Sequence, residues 1–264
     1  MADVCSYLKI GSGNKIPIAD DDMRAYIEAN GPGAHNSIYR EVNLGASFTN
    51  AQHTALSSGN FNGMYIGSFW TIGNIKYVIK AFDYWYNCGD TALQTHHALV
   101  GPEKAMYNAQ MNTSDVTTGG YYGSAMVSNN LATAITNFNN AFGSTHVLQH
   151  RDFLSNAVSN GMVSGMSWYD RVVDLESQRM VYGNQAFGGM NQGNEPWGYC
   201  MNYQITKSQL PYYAFRPEMQ SNRQDIWLRD VVSSANFALV GNNGNCTNGG
   251  ASGSHGLRPF ALIS

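Results

Sequence analysis

The sequence predicts an α+β fold of short antiparallel strands, two main helices and a large share of loop. Three observations point there. Apolar residues make up 43% of the 264, enough for a sizeable core in one large domain. Short runs rich in β-branched and aromatic residues recur along the chain, and two segments carry apolar residues at helical spacing. The two kinds of signal do not alternate as βαβα, which argues against a doubly wound parallel sheet. No internal repeat is visible.

Taken in order, residues 1–45 read as a small N-terminal appendage. Within it IPIADDDMRAYIEANGPG predicts a short helix, with Asp20 to Asp22 as cap and acidic first turn and NGPG as stop. Such a helix is too short to stand alone and has to pack on something. TNAQHTALSSG predicts a second short helix, capped by Thr49 or Asn50 and stopped at Gly59. MYIGSFWTIGNIKYVIKAFDYW is the clearest hairpin, two apolar runs joined by Gly73-Asn74. In its second run Ile75, Tyr77 and Ile79 alternate with Lys76, Val78 and Lys80, which predicts one buried and one wetter face. THHALVG predicts another strand. NNLATAITNFNNAFG has helical spacing through Leu131, Ile135, Phe138 and Phe142, and SWYDRVVDLESQRMVYG has it through Val172, Leu175 and Met180. After irregular stretches such as GNQAFGGMNQGNEPWGYCMN, the last elements are QLPYYAF, DIWLRDVV and LRPFALIS.

Charged residues are only 12% of the chain, about half the usual share. A formal charge of −3 without Lys/Arg clusters argues against nucleic acid and anionic membrane as partners. The N-terminus has no signal-peptide pattern and no apolar run is long enough to span a bilayer, so a soluble chain is expected. Cys5, Cys88, Cys200 and Cys246 are widely separated, a spacing that suggests neither a zinc site nor a disulfide framework.

Candidate chemistry is sparse. On a strand His96 and His97 point to opposite faces, which favours structural roles. HVLQH places His146 and His150 at the i,i+4 spacing of a helical metal pair, but lacks the glutamate of zinc proteases. His150 pairing with Asp152, or capping a helix, is the simpler reading. The acidic run at 20–22 lacks the ligand spacing of a calcium loop. No nucleophile elbow, Walker loop or dinucleotide fingerprint is present, and GGYYGS reads as an aromatic turn. In FDYWYNCGD, Tyr84 and Tyr86 face away from Trp85, so Phe82 and Trp85 read as core rather than as a sugar platform. The expectation is no enzyme, no cofactor and no metal.

The most distinctive stretch is SSANFALVGNNGNCTNGGASGSHGLRPFALIS. Six glycines and four asparagines fall between Gly241 and Gly256. Trp227, Leu228 and Val231 are expected as core anchors before it, and Leu257, Phe260, Leu262 and Ile263 after it. Phe237 and Val240 pin the middle. Between the pins lie small polar residues of the kind that binding loops use on rigid scaffolds. The tract itself has no Tyr or Trp anchor, which suggests a weak single site.

Together the segments SFWTIG, KYVIKAFDYW, GDTALQTHHALV, GGYYGSAM, WYDRVVDLESQRMVYG, QDIWLRDVVSSANFALV and GLRPFALIS resemble a protein group common in phages and prophages of gut bacteria. The ending resembles the variable proteins of diversity-generating retroelements, whose C-terminal domain has a C-type-lectin-like fold. The resemblance covers residues 38–264. It implies a docking or attachment segment over 1–45 and a C-type-lectin-like ligand-display domain over 46–264. In that family adenines of Asn-type codons are randomised, a change that never yields Lys, Glu, Gln, Met or Trp. None of these five occurs between Asn236 and His255, where their abundance predicts about three.

Matching to the family pattern implies an exposed variable set of Asn236, Leu239, Gly241, Asn242, Asn243, Asn245, Thr247, Asn248, Gly249, Gly253 and His255. Gly244, Ala251, Ser252, Gly256, Arg258 and Pro259 would be fixed framework, and Cys246 stands where the family more often has Ala. Calcium-dependent sugar binding is not implied: Glu195-Pro196 is followed by Trp197, and WLRD replaces the second calcium motif. The implied function is a virion-associated host-adhesion protein, assembled in the host cytoplasm, that binds a bacterial cell-surface receptor, either protein or glycan. Other virion proteins would be partners through the N-terminal segment, with a homotrimer favoured. The alternatives are a purely structural virion component (head decoration, head fibre or collar) and, from the same fold, an oxidase needing a reactive cysteine pair, of which only Cys246 is in the right region.

Overall fold

The computed structural model describes residues 7–10, 14–17, 35–184, 186 and 208–264. The helix expected around Asp20 to Asp22, the Glu195–Trp197 segment, Cys5 and Cys200 lie outside them. The architecture is α+β, dominated by antiparallel sheets with few helices. Near the N-terminus β1 (Tyr7–Ile10) and β2 (Asn14–Pro17) pair as an antiparallel ribbon.

The expected division at residue 45 is not where the main body begins. His35 is fully buried against the rings of Phe61 and Phe82, at 5.4 and 5.7 Å. Asn36 clamps the Phe82 backbone from both sides, its amide donating to the carbonyl and its oxygen accepting from the N–H. Leu44 N–H donates to the Phe69 carbonyl at 2.7 Å. Residues 35–45 are therefore part of the body.

Helix α1 (Asn50–Ser57) begins at Thr49, which forms a reciprocal capping box with Gln52. The same Gln52 docks the helix, accepting from the Trp70 indole and donating to the Leu44 carbonyl. Strands β3 (Phe69–Ile72) and β4 (Ile75–Phe82) form the expected hairpin around Gly73-Asn74. The expected wetter face of β4 is corrected: every residue from Tyr77 to Phe82 is buried, Lys80 included. The reason is a long-range partner. Lys80 Nζ lies 2.5 Å from Glu176, and Tyr213 and Arg258 complete a buried cluster around that carboxylate. Burial pulls Lys80 down to about 8 against the pull of Glu176. Burial alone would raise Glu176, but Lys80 and Arg258 hold it below the usual range, so the pair is ionised at neutral pH. Gly101 makes room for Lys80; a Cβ there would sit 2.8 Å from its Nζ.

Strand β5 (Ala98–Pro102) pairs with β4. It starts after His96 and His97, so the expected strand placement of the two histidines is corrected. Both instead hold Asp83: His97 N–H donates to Oδ1 at 2.9 Å, and His96 Nδ1 lies 2.7 Å from Oδ2. After β6 (Tyr107–Ala109) and a turn through Gly119 and Gly120, a π-helical turn (Met126–Asn130) leads into α2 (Ala132–Phe142). Leu131, Phe138 and Phe142 are buried, as their spacing predicts, with Ile135 half-buried.

One helical expectation fails, and the helical spacing of a second segment has no helix behind it. HVLQH is not a helix but β7 (Val147–Leu148) and the start of β8 (His150–Ser159). The first part of SWYDRVVDLESQRMVYG belongs to β9 (Met162–Arg171) and β10 (Val173–Asp174); only Gln178–Tyr182 is helical, as α3, capped by Ser177. Strands β8 and β9 form a long ribbon closed by Asn160-Gly161, both at positive φ (52° and 77°). Asn-Gly is the favoured two-residue hairpin turn, and it outweighs the apparent 3.6-residue period of Val172, Leu175 and Met180.

After α4 (Pro211–Phe215) and a 3₁₀ turn (Pro217–Gln220) come β11 (Ile226–Val231), β12 (Asn236–Val240), β13 (Cys246–Gly250), β14 (His255–Leu257) and β15 (Phe260–Ile263). Strand β15 lies inside a six-stranded sheet of order β10-β15-β5-β4-β3, with β7 also on β15. The glycine- and asparagine-rich tract builds a second sheet of order β13-β12-β11-β14-β6. Among the described residues no helix is long and apolar enough to cross a membrane.

Candidate binding surface at the C-terminal hairpin

The terminal tract is not a loose loop. Strands β12 and β13 form a hairpin in continuous register from Asn236↔Gly250 to Val240↔Cys246. Strand β11 supports it through Ile226↔Val240 and Trp227↔Leu239. Beneath it Trp227, Leu228, Val231, Phe237 and Val240 are all buried, as are Leu257, Phe260, Leu262 and Ile263 after the tract. The Trp227 indole donates to the Ala109 carbonyl and meets the His255 ring edge-on at 4.8 Å.

This grip corrects part of the expected exposed set. Leu239 is 3% exposed because its register partner is Trp227. Gly241 is buried; a Cβ there would lie 2.1 Å from Asn245 Oδ1. Gly249 and Gly253 are half-buried, but each is packed. A Cβ on Gly249 would meet Leu239 at 2.9 Å, and one on Gly253 would meet His255 Nε2 at 2.8 Å. Asn236, Thr247, Asn248 and His255 are half-buried, with Asn236 donating to Asn248 at 2.6 Å. Of the set, only Asn242, Asn243 and Asn245 are exposed, and all three sit at the tip.

The tip backbone is tethered from three directions. Asn242 N–H donates to Asp225 at 2.8 Å, Ser221 Oγ donates to the Asn242 carbonyl, and the Tyr182 hydroxyl donates to the Gly244 carbonyl. Gly244, at φ 89°, lets the turn close with its N–H on Gly241 O. Exposed side chains on a fixed backbone result. At the other end of β13, Ser252 donates twice to Asp115 and holds that carboxyl below the usual range.

Beside the tip lies an open groove of about 580 Å³ lined by Glu218, Ser221, Arg223, Asn242 and Asn243. Sequence reading does not find Glu218, Ser221 and Arg223. No local pattern marks them, and the tertiary bonds from Ser221 and Asp225 bring them to the hairpin.

Reactive groups near the surface are quenched. Burial raises the Cys246 thiol to about 12, and it donates to Gln178 Oε1. Burial also lowers His255, against the attraction of Asp225. In WLRD, Arg229 is bonded to Asp152 and Asp230 accepts from Gln178 N–H. His150, Asp152 and Asp174 bring potential ligand atoms within 4.8 Å of one another. Arg229 already bonds Asp152 and reaches Asp174, and Arg171 also reaches Asp174, so guanidinium groups fill the place a cation would take. His150 itself packs against Trp85 and Phe260, and its ring nitrogens have no hydrogen-bond partner among the described residues.

No family model, curated protein or solved structure matches the chain.

Proposed function

We propose that the chain is a virion-associated receptor-binding protein of a bacteriophage, with a C-type-lectin-like body that displays the hairpin tip to a bacterial surface receptor. The observation that carries this reading is the exposure of Asn242, Asn243 and Asn245 on a backbone tethered by Asp225, Ser221 and Tyr182. The side chains of Asn242 and Asn245 can be exchanged without disturbing these tethers, whereas Asn243 Oδ1 also accepts from Asn245 N–H at 3.2 Å within the turn. The C-type-lectin-like arrangement is supported by two longer helices, α1 and α2, by the return of β15 to a place beside β5, and by a separate small sheet that carries the tract. Small polar side chains make a weak single site, and clustered copies on a particle raise avidity about 10²–10⁴-fold. Recognition here needs no reacting group.

The test is a graft. Particles carrying Asn242, Asn243 and Asn245 exchanged for other side chains should assemble normally and change in host adsorption. Unchanged adsorption would instead favour the purely structural reading, in which the hairpin is inert. Docking through the N-terminal segment is tested separately by deleting residues 1–34. The deletion stops there because His35 and Asn36 belong to the body. Deleted chains should fold and still bind host cells but fail to join particles.

A further inference from the structure

We infer that the groove beside the hairpin tip takes a carboxylate-bearing polysaccharide. Arg223 would pair with the carboxylate, and the amides of Asn242 and Asn243 would take neighbouring hydroxyls. The inference rests on the reading of the tip as a receptor-facing surface and gives that receptor a chemical class.

Three features converge on it. First, one cation on the groove has no partner among the described residues. Glu218 is bonded by Arg216, which also bonds Glu41 and Tyr39. Arg223 is exposed, and its guanidinium makes no hydrogen bond or ion pair among the described residues. One free planar cation with paired N–H donors matches one carboxylate.

Second, the Arg223 backbone is in a conformation that does not suit its residue type. Asn222 and Arg223 stand in succession at φ 52° and 59°, the left-handed region. Asn and Gly enter that region readily and Arg does not. The conformation is held by Asn222 Nδ2 donating to the Glu103 carbonyl and Arg223 N–H donating to Ser221 Oγ. An arginine kept where glycine fits better points to a use for its side chain.

Third, the lining is wholly polar, and the volume of about 580 Å³ lies within the usual range for ligand sites. No hydrophobic residue lines the groove to receive an apolar peptide side chain. Sugar hydroxyls find amide groups that donate and accept side by side.

The experiment uses the full chain immobilised on a sensor, with polygalacturonate, its methyl ester and poly-L-glutamate as soluble probes. The unaltered chain should bind polygalacturonate at low salt and bind the methyl ester at least tenfold more weakly. Arg223→Gln should lose at least tenfold. Arg223→Gly should lose as much with no fall in thermal midpoint, because glycine accepts the left-handed backbone; lost binding then cannot be misfolding. Failure of the unaltered chain to bind polygalacturonate, equal binding of the methyl ester, or full binding by Arg223→Gly would overturn the inference. Poly-L-glutamate bound as tightly as polygalacturonate would overturn the polysaccharide class in favour of an acidic peptide. Host adsorption separates the two readings. If tip exchanges shift adsorption but polygalacturonate is not bound, the groove fails and the display reading stands. If polygalacturonate is bound through Arg223 but tip exchanges leave adsorption unchanged, the display reading fails and the groove stands.

Discussion

The root and the tip of the terminal hairpin are drawn from the same few residue types, yet they differ in what holds them. At the root Leu239 lies on Trp227, Gly249 sits under Leu239 and His255, and Asn236 is bonded to Asn248. Replacing a side chain there disturbs a neighbour. At the tip Asn242, Asn243 and Asn245 are exposed, and the outside tethers reach backbone atoms of the turn rather than their side chains. Within the turn only the Asn243 side chain is engaged, accepting from Asn245 N–H. A recognition surface is made by anchoring mainly through the main chain, and glycine or asparagine content alone does not show which residues are which.

The comparison can be broken most forcefully from below. Glu176 holds both Lys80 and Arg258, and Arg258 directly follows the hairpin sheet. Glu176→Gln leaves two buried cations short of a partner and should cost about 3–5 kcal/mol in urea unfolding. Leu239→Ala should cost about 2–5 kcal/mol by the same measurement, because it opens a cavity against Trp227. A negligible cost for Leu239→Ala would mean that the root is as free as the tip.

Acid gives a smaller effect and also divides the regions. Burial lowers His97, His150 and His255, so each takes its proton mainly when unfolded. Their contribution to stability is complete above about 6.5 and falls as pH drops, by up to about 1.4 kcal/mol per pH unit for each histidine. Asp152, which burial raises to about 6, works the other way: it gains a proton in the fold first and offsets part of the loss below that pH. The clearest window is therefore just below 6.5. His150→Phe should flatten the thermal midpoint there, since the ring is packed by Trp85 and Phe260 and its nitrogens bond nothing among the described residues. The tip holds no titratable side chain and should not contribute. The smallest effect belongs to it: Asn242→Ser and Asn243→Ser should each fall within about 0.5 kcal/mol of the unaltered chain.

Legibility in the sequence follows the range of the interactions. The helix start at Thr49, the Gly73-Asn74 hairpin and the apolar stripe of α2 are set by neighbours a few residues apart, and they are legible in the sequence. Asn160-Gly161 carried an equally local turn signal, but the coincidental spacing of Val172, Leu175 and Met180 led to a helix where β9 and β10 stand. Burial of Lys80 depends on Glu176, 96 residues away, and nothing beside Lys80 announces it. The candidate surface was half legible for the same reason. Its anchors are large apolar residues that declare themselves, whereas the packing of Leu239, Gly241, Gly249 and Gly253 follows from strand register. Arg223 reaches the site only through folding.

The division between grip and display is tested most directly by randomising Leu239, Gly241, Asn242, Asn243, Asn245 and Gly249 together and selecting protease-resistant chains. Resistant chains should recover the original residue at 239, 241 and 249 while accepting nearly any side chain at 242 and 245, and at 243 a range of residues with a mild preference for short acceptors such as Asn, Asp and Ser. Equal tolerance at all six positions, or recovery of asparagine at the three tip positions, would contradict it.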